Sequence, residues 1–166
     1  MIVVLGIDPG FGVTGFGVLK KELNKSNLLD YGYLKMSSTK PLSERIGIFY
    51  QFMFEKIKQW NVTEIALETP FLGKNAQNFL KLGYLRGILY LLADQHTLKL
   101  HEFSPTQVKL SVTGFGGASK EQVARVVSML FPALKTPDKL DVTDALAVTL
   151  CGIWQNKYQA LMQQAK

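Results

Sequence analysis

At 166 residues, with 47% hydrophobic and 19% charged side chains, the chain has the length and composition for one buried core, which excludes a globally disordered polypeptide. Nineteen Lys and Arg against thirteen Asp and Glu leave a net charge of +6, which favours an acidic partner such as nucleic acid without identifying it. Cys151 is the single cysteine, so an internal disulfide and a cysteine-based zinc site are excluded, and Cys151 itself reads as a small buried apolar residue.

The opening MIVVLGI is strand-length, lacks a basic leader region and runs at once into Asp8, so it reads as a buried strand over residues 2–7 rather than a signal peptide. Pro9-Gly10 ends it. Residues 12–20 and 28–36 predict two further strands, joined by the polar turn ELNKSN, and the three make an antiparallel meander. Leu42, Ile46, Phe49, Met53, Ile57 and Trp60 form a 3.6-period stripe that predicts a helix over 42–60, with Ser43 and Glu44 as its starting signal. Residues 63–68 (TEIALE) predict a fourth strand, 75–94 a second helix and 98–103 a fifth strand. Shorter helices follow at 105–112 and 119–131, and a last one runs over 139–158, with Asp138 as its N-cap. The expectation is one domain over residues 1–166, an α/β fold with a five-stranded mixed sheet flanked by helices. No apolar run approaches the ~20 residues of a membrane span, so a soluble cytoplasmic protein is expected.

Four acids stand out along this order. Asp8 and Glu68 end apolar strands, in VLGIDPG and EIALETPF, while Asp141 and Asp144 share one face of the last helix, in DVTDALA. Clustered carboxylates in a basic chain suit an all-oxygen site for Mg²⁺ in an enzyme that cuts a polyanion. Asp30, Asp94, Glu22, Glu44 and Glu55 carry no such context and read as solvated. His96 and His101 flank a short strand and read as surface packing rather than metal ligands. On the second helix, Gly83 and Gly87 form G-x-x-x-G beside Leu80, Tyr84 and Leu91. Each glycine costs about 1 kcal/mol of helix propensity against alanine, which close approach of another backbone would explain, either a second copy or a neighbour around a helix buried inside one protomer. Lys20, Lys21, Lys74, Lys81, Arg86, Lys109 and Lys120 are candidate phosphate contacts.

Six ordered segments resemble the RuvC family of Holliday-junction resolvases, within the ribonuclease H-like superfamily. They are GIDPG with Thr14-Gly15, then E-x-x-F-x-x-K-N-A at 68–76, LKLGYLRG at 80–87, PTQVK at 105–109, GFGGASKEQV at 114–123 and DVTDALA at 141–147. The resemblance implies a ribonuclease H-like fold and a homodimer that nicks opposing strands of a four-way DNA junction symmetrically, in recombination and repair. It makes Asp8, Glu68, Asp141 and Asp144 the metal-binding acids, with two Mg²⁺ per site and Mn²⁺ as a substitute. Phe71 matches a junction-facing aromatic, and Lys109 and Lys120 match basic residues that serve the active site and the DNA backbone; Lys74 and Asn75 lie in the same matched loop. A nucleoid-associated location and a branch-migration motor as partner are further expectations of that kind. Two departures stand out: Thr69-Pro70 stiffens the approach to Phe71, and Phe11-Gly12 takes the place of a polar or basic pair, removing a DNA contact.

Three other readings compete. DPGFGVT resembles a phosphate loop of actin-like and sugar-kinase ATPases, but those need two lobes. A junction-binding module without catalysis would have no use for all four acids. Another ribonuclease H-like nuclease, acting on flaps, other branched DNA or RNA, shares scaffold and metals, so substrate choice is not legible at this level.

Overall fold

The computed structural model describes residues 1–23, 25–70, 76–132, 134 and 140–164, with 156–164 in backbone only. Five strands form one sheet, β1 (Ile2–Asp8), β2 (Val13–Glu22), β3 (Lys25–Lys35), β4 (Glu64–Glu68) and β5 (Lys99–Phe103), in the spatial order β3-β2-β1-β4-β5. The β1–β2 and β2–β3 pairs are antiparallel, while β1–β4 and β4–β5 are parallel. The helices are α1 (Leu42–Trp60), α2 (Ala76–Gln95), α3 (Pro105–Thr113), α4 (Lys120–Leu130) and α5 (Leu140–Gln164). This is the mixed sheet the sequence predicts. The first hairpin is tighter than expected, because β2 runs to Glu22 and β3 already begins at Lys25, with Leu23 at φ 52° in the turn.

Period-two alternation divides the core into two halves. Val3, Leu5, Ile7, Ile65 and Leu67 pack with α1 and α2, through Phe49, Met53, Ile57, Leu85, Leu89 and Leu92. Val4, Leu19 and Ala66 pack on the opposite face with α3, α4 and α5, through Val108, Val123, Val127, Leu146 and Leu150. Cys151 lies in this second half, and its burial pushes the thiol up to about 11. Among the described residues no helix is long and apolar enough to cross a membrane.

Local chemistry sets the helix ends. Ser104 and Ser119 open α3 and α4 with reciprocal capping boxes, to Gln107 and Gln122. α1 starts at Leu42, as expected, with Pro41 in the N-cap position without a side-chain bond and Ser43 and Glu44 inside the first turn. Glu44 there suits the positive end of the helix dipole. Asp138 lies outside the described residues.

Candidate active site

The same alternation that buries Val4 and Ala66 against α5 sends Asp8 and Glu68 to that face at the ends of β1 and β4. The two acids of α5 reach them because that helix lies almost directly on the sheet. A Cβ on Gly15 would fall 1.9 Å from the Asp141 carbonyl oxygen, and one on Gly6 would fall 2.1 Å from Thr149 Oγ1. Only hydrogen fits at these two positions, so β1 and β2 form a smooth floor under the first turns of α5. Thr149 Oγ1 donates chiefly to Ala145 O within α5 at 2.7 Å and lies 3.3 Å from Gly17 O on β2. The loop after Asp8 is closed by buried Thr14, whose hydroxyl donates to Gly10 O at 2.9 Å and accepts from Gly10 N at 3.2 Å.

Asp8, Glu68 and Asp144 line one cleft of about 230 Å³ together with Pro105, Val108, Lys109, Lys120, Val123, Ala147 and Val148. Asp141 lies near enough to act on Asp8 electrostatically. Burial, followed by the charges of Asp144, Asp141 and Glu68, pushes the Asp8 carboxyl up to about 7, and only Lys120 opposes this. Burial and Asp144 also raise Glu68, against the pull of Lys120 and Lys109. Lys120 Nζ donates to Asp144 Oδ2 at 2.8 Å, and that bond raises the lysine in turn.

The cleft therefore concentrates more negative charge than its two lysines neutralise, with oxygen donors throughout, and such a donor set fits a hard divalent cation. Among the described residues, no three Asp, Glu, His or Cys side chains converge closely enough to hold an ion. The electrostatics supply a reason: Lys120 draws one carboxylate aside, and like charges keep the others apart. An ion held by Asp144 would compete with Lys120 for that carboxylate.

Other sites differ from expectation. Arg86 is not a phosphate contact. It is 7% exposed, its Nη1 donates to the Glu68 main-chain oxygen at 2.7 Å, and its Nη2 pairs with Glu102. Lys20 pairs with Glu22 at 2.5 Å, and Lys21 Nζ donates to Ile153 O at 3.2 Å, so both are engaged within the fold. Lys81 is exposed on α2 and is not among the residues lining the cleft. Asp30 is not simply solvated, since its Oδ2 accepts from Lys56 Nζ at 2.6 Å and from Trp60 Nε1 at 2.9 Å. Glu44 pairs with Lys40 and Glu55 accepts from Gln51, while Asp94 is exposed as expected. His101 Nε2 meets the buried Glu64 carboxylate at 2.9 Å, and His96 leans on the Phe54 ring. Phe71, Lys74 and Asn75 lie outside the described residues.

Arg45, a residue the sequence did not single out, sits where Phe11-Gly12 had seemed to leave the loop without a cation. Its guanidinium lies 4.8 Å above the Phe11 ring and also donates to Phe11 O. The signal available in the sequence was a lone arginine in the first turns of an amphipathic helix, which reads equally well as solvated.

Comparison with known proteins accords with this geometry. The family model described as crossover junction endodeoxyribonuclease RuvC matches residues 4–152. A protein of that name from Chlorobium phaeobacteroides is 41% identical over 165 residues, covering 99% of this chain and 88% of its own. Among solved structures, T. thermophilus RuvC in complex with a Holliday junction substrate superposes with a TM-score of 0.88 at 29% identity, covering 96% of this chain and 97% of that one. The yeast mitochondrial Holliday junction resolvase Ydc2 shares the fold at a TM-score of 0.69 and 14% identity, over 98% of this chain and 84% of that one.

Proposed function

The chain belongs to the RuvC family of crossover junction endodeoxyribonucleases, and from that premise we propose that it resolves four-way DNA junctions by paired, symmetric, metal-dependent nicks. The observation that carries the reading is the cleft itself: three carboxylates and two lysines line one depression, in a chain of net charge +6.

Asp8, Glu68, Asp141 and Asp144 are the residues that would hold Mg²⁺, or Mn²⁺ in its place, two ions to a site. What a bound pair of such ions supplies is an activated water and charge at the leaving oxygen. The chain's own contribution is positional. Asp8 is anchored at the end of a central strand and Glu68 at the end of its neighbour, so both present carboxylates from a rigid floor. Lys120, released by Asp144, is free to meet a phosphate oxygen, and Lys109 lies on the cleft wall to bind the adjoining backbone. Phe71 stacks on a base that unstacks at the branch point, and Lys74, Asn75 and Lys81 extend the phosphate contacts.

Paired nicks require two sites. This reading assigns the pairing to the outward face of α2, where Cβ atoms on Gly83 and Gly87 would meet nothing within 4 Å and Leu80, Tyr84 and Leu91 are 59%, 40% and 45% exposed. A twofold pairing of this face gives a homodimer whose two clefts address opposing strands. The setting is the cytoplasm at the nucleoid, with a branch-migration motor as a partner at the junction.

Cleavage of one synthetic four-way junction beside a linear duplex, a flap and a three-way junction tests the proposal. Paired nicks at the four-way centre are expected. Equal cutting of flaps or RNA would make this a broader ribonuclease H-like nuclease, and junction binding without cutting would make it a binding module.

A further inference from the structure

We infer that Arg86 is a positioning residue for metal binding, holding Glu68 in place from the helix that carries the assembly face; this rests on the reading of Glu68 as a ligand. Within the described residues the register of β4 with β1 ends at Leu67, so the Glu68 carbonyl stands just past that ladder. Arg86 Nη1 takes this oxygen at 2.7 Å. One residue further on, Thr69 N donates to Phe103 O at 2.7 Å, which fixes the chain on the β5 side. The Glu68 backbone is thus clamped from α2 and from β5, and its side chain leaves for the cleft on the opposite face of the sheet.

The clamp is built rather than incidental. A guanidinium only 7% exposed demands partners, and its second arm is paired with Glu102 on β5. The Tyr90 hydroxyl, one turn along α2, lies close enough to Glu102 and Arg86 for both to bear on its titration, which burial and Glu102 push up. Arginine is required because one planar fork spans a carbonyl and a carboxylate at once, whereas a lysine presents a single point of charge. The arrangement resembles the outer partners that orient metal ligands elsewhere, whose loss costs about 10–100-fold in metal affinity. Here the arginine acts through the ligand's main chain instead of its side chain.

The test is Mn²⁺ binding by calorimetry at pH 7.5, without DNA, on the wild type, Arg86→Lys, Glu102→Gln and Glu68→Gln. Each sample is first shown to be folded by circular dichroism and thermal unfolding in EDTA. Arg86→Lys is expected to weaken Mn²⁺ at least tenfold, and Glu102→Gln to weaken it by a smaller factor, with junction affinity in EDTA unchanged for both. A merely structural arginine would lower the melting temperature and leave the affinity of the folded protein alone. If Glu68→Gln weakens Mn²⁺ while folded Arg86→Lys and Glu102→Gln both bind within twofold of wild type, the positioning role is overturned and Glu68 remains a ligand. If Glu68→Gln itself changes nothing, Glu68 is not a ligand and both readings fall.

Discussion

Lys120 Nζ lies 2.8 Å from Asp144 Oδ2, so the base of one helix and the acid of another are already joined across the cleft before any substrate arrives. Lys120 is the first residue of α4, placed there by the Ser119 capping box, and Asp144 sits one turn into α5. The bond explains how a loop rich in glycine delivers a lysine to a defined point. It also lets the lysine partly neutralise the acids of the cleft, and on the proposed reading the same lysine would meet a substrate phosphate.

Lys120→Met should therefore separate chemistry from binding. Single-turnover nicking of a four-way junction is expected to fall by roughly 10²-fold or more, the scale of losing one electrostatic contact to the reacting group. Junction affinity in EDTA should fall little, because Lys120 is one cation among many on the DNA path. Equal losses in binding and in nicking would show that the lysine serves the DNA backbone alone.

Asp8 makes the pH dependence specific. Its carboxyl is raised to about 7 from an ordinary 3.8, so the folded protein holds a proton that the unfolded chain has released. The stability this group contributes is fully present below the ordinary value and is lost as pH rises towards 7. Metal-free protein should lose on the order of 4 kcal/mol from this group between about pH 4 and pH 7, at about 1.4 kcal/mol for each tenfold change in proton activity. Asp8→Asn should flatten that slope and raise the melting temperature at pH 7.5 in EDTA, while abolishing nicking. If Mg²⁺ binds at Asp8 as proposed, it displaces that proton, so its affinity should climb with pH up to about 7. Melting curves in EDTA and Mg²⁺ across this pH range, for both proteins, check each part.

Gly15 tests how closely α5 must lie. A methyl group there would meet the Asp141 carbonyl at 1.9 Å, and backbone cannot swing aside as a side chain can. Gly15→Ala should cost about 1–3 kcal/mol by denaturant unfolding. It should reduce nicking of the folded fraction as well, because the helix that moves carries Asp141 and Asp144. An alanine variant with full activity and full stability would show that the helix has room to spare.

Much of this was legible in the sequence for identifiable reasons. Strand ends and helix stripes are local signals, so the five strands and five helices appear in the predicted order, most within two residues of their predicted bounds; β3 starts three residues earlier and α5 runs six residues further, to Gln164. Asp8, Glu68 and Asp144 stood out by their place at strand ends and on one helix face, and the family resemblance grouped them as one site. Three of the misread residues depend on distant partners. Arg86 reads as a candidate phosphate contact until Glu102, sixteen residues on in β5, is seen to face it. Asp30 reads as a surface acid until α1 brings Lys56 and Trp60, spaced i and i+4, onto one of its oxygens. The Glu64–His101 pair likewise arises from the parallel pairing of β4 with β5, which no local pattern specifies.

Assembly can be separated from folding at Gly87. A side chain there meets open space within the protomer, since an added Cβ has nothing within 4 Å. Replacing glycine in a helix by leucine removes a propensity cost of roughly 0.5–1 kcal/mol. Gly87→Leu should therefore fold at least as stably as wild type when measured as a monomer. If the Gly83–Gly87 face packs against its own copy, the same leucine holds the two helices apart and removes the close contact that a dimer would need. Light scattering should then report a dimer for wild type and a monomer for the variant, at concentrations where both are folded. The variant should retain its cleft and its affinity for Mn²⁺, because neither Asp8, Glu68, Asp141 nor Asp144 is touched. What it should lose is the pairing of cuts: opposing strands of one junction would no longer be nicked in a single binding event, and a supercoiled cruciform substrate would yield nicked circles instead of linear product. Linear product from a monomeric variant would show that paired cutting does not need this face, and a monomeric wild type would remove α2 as the assembly helix.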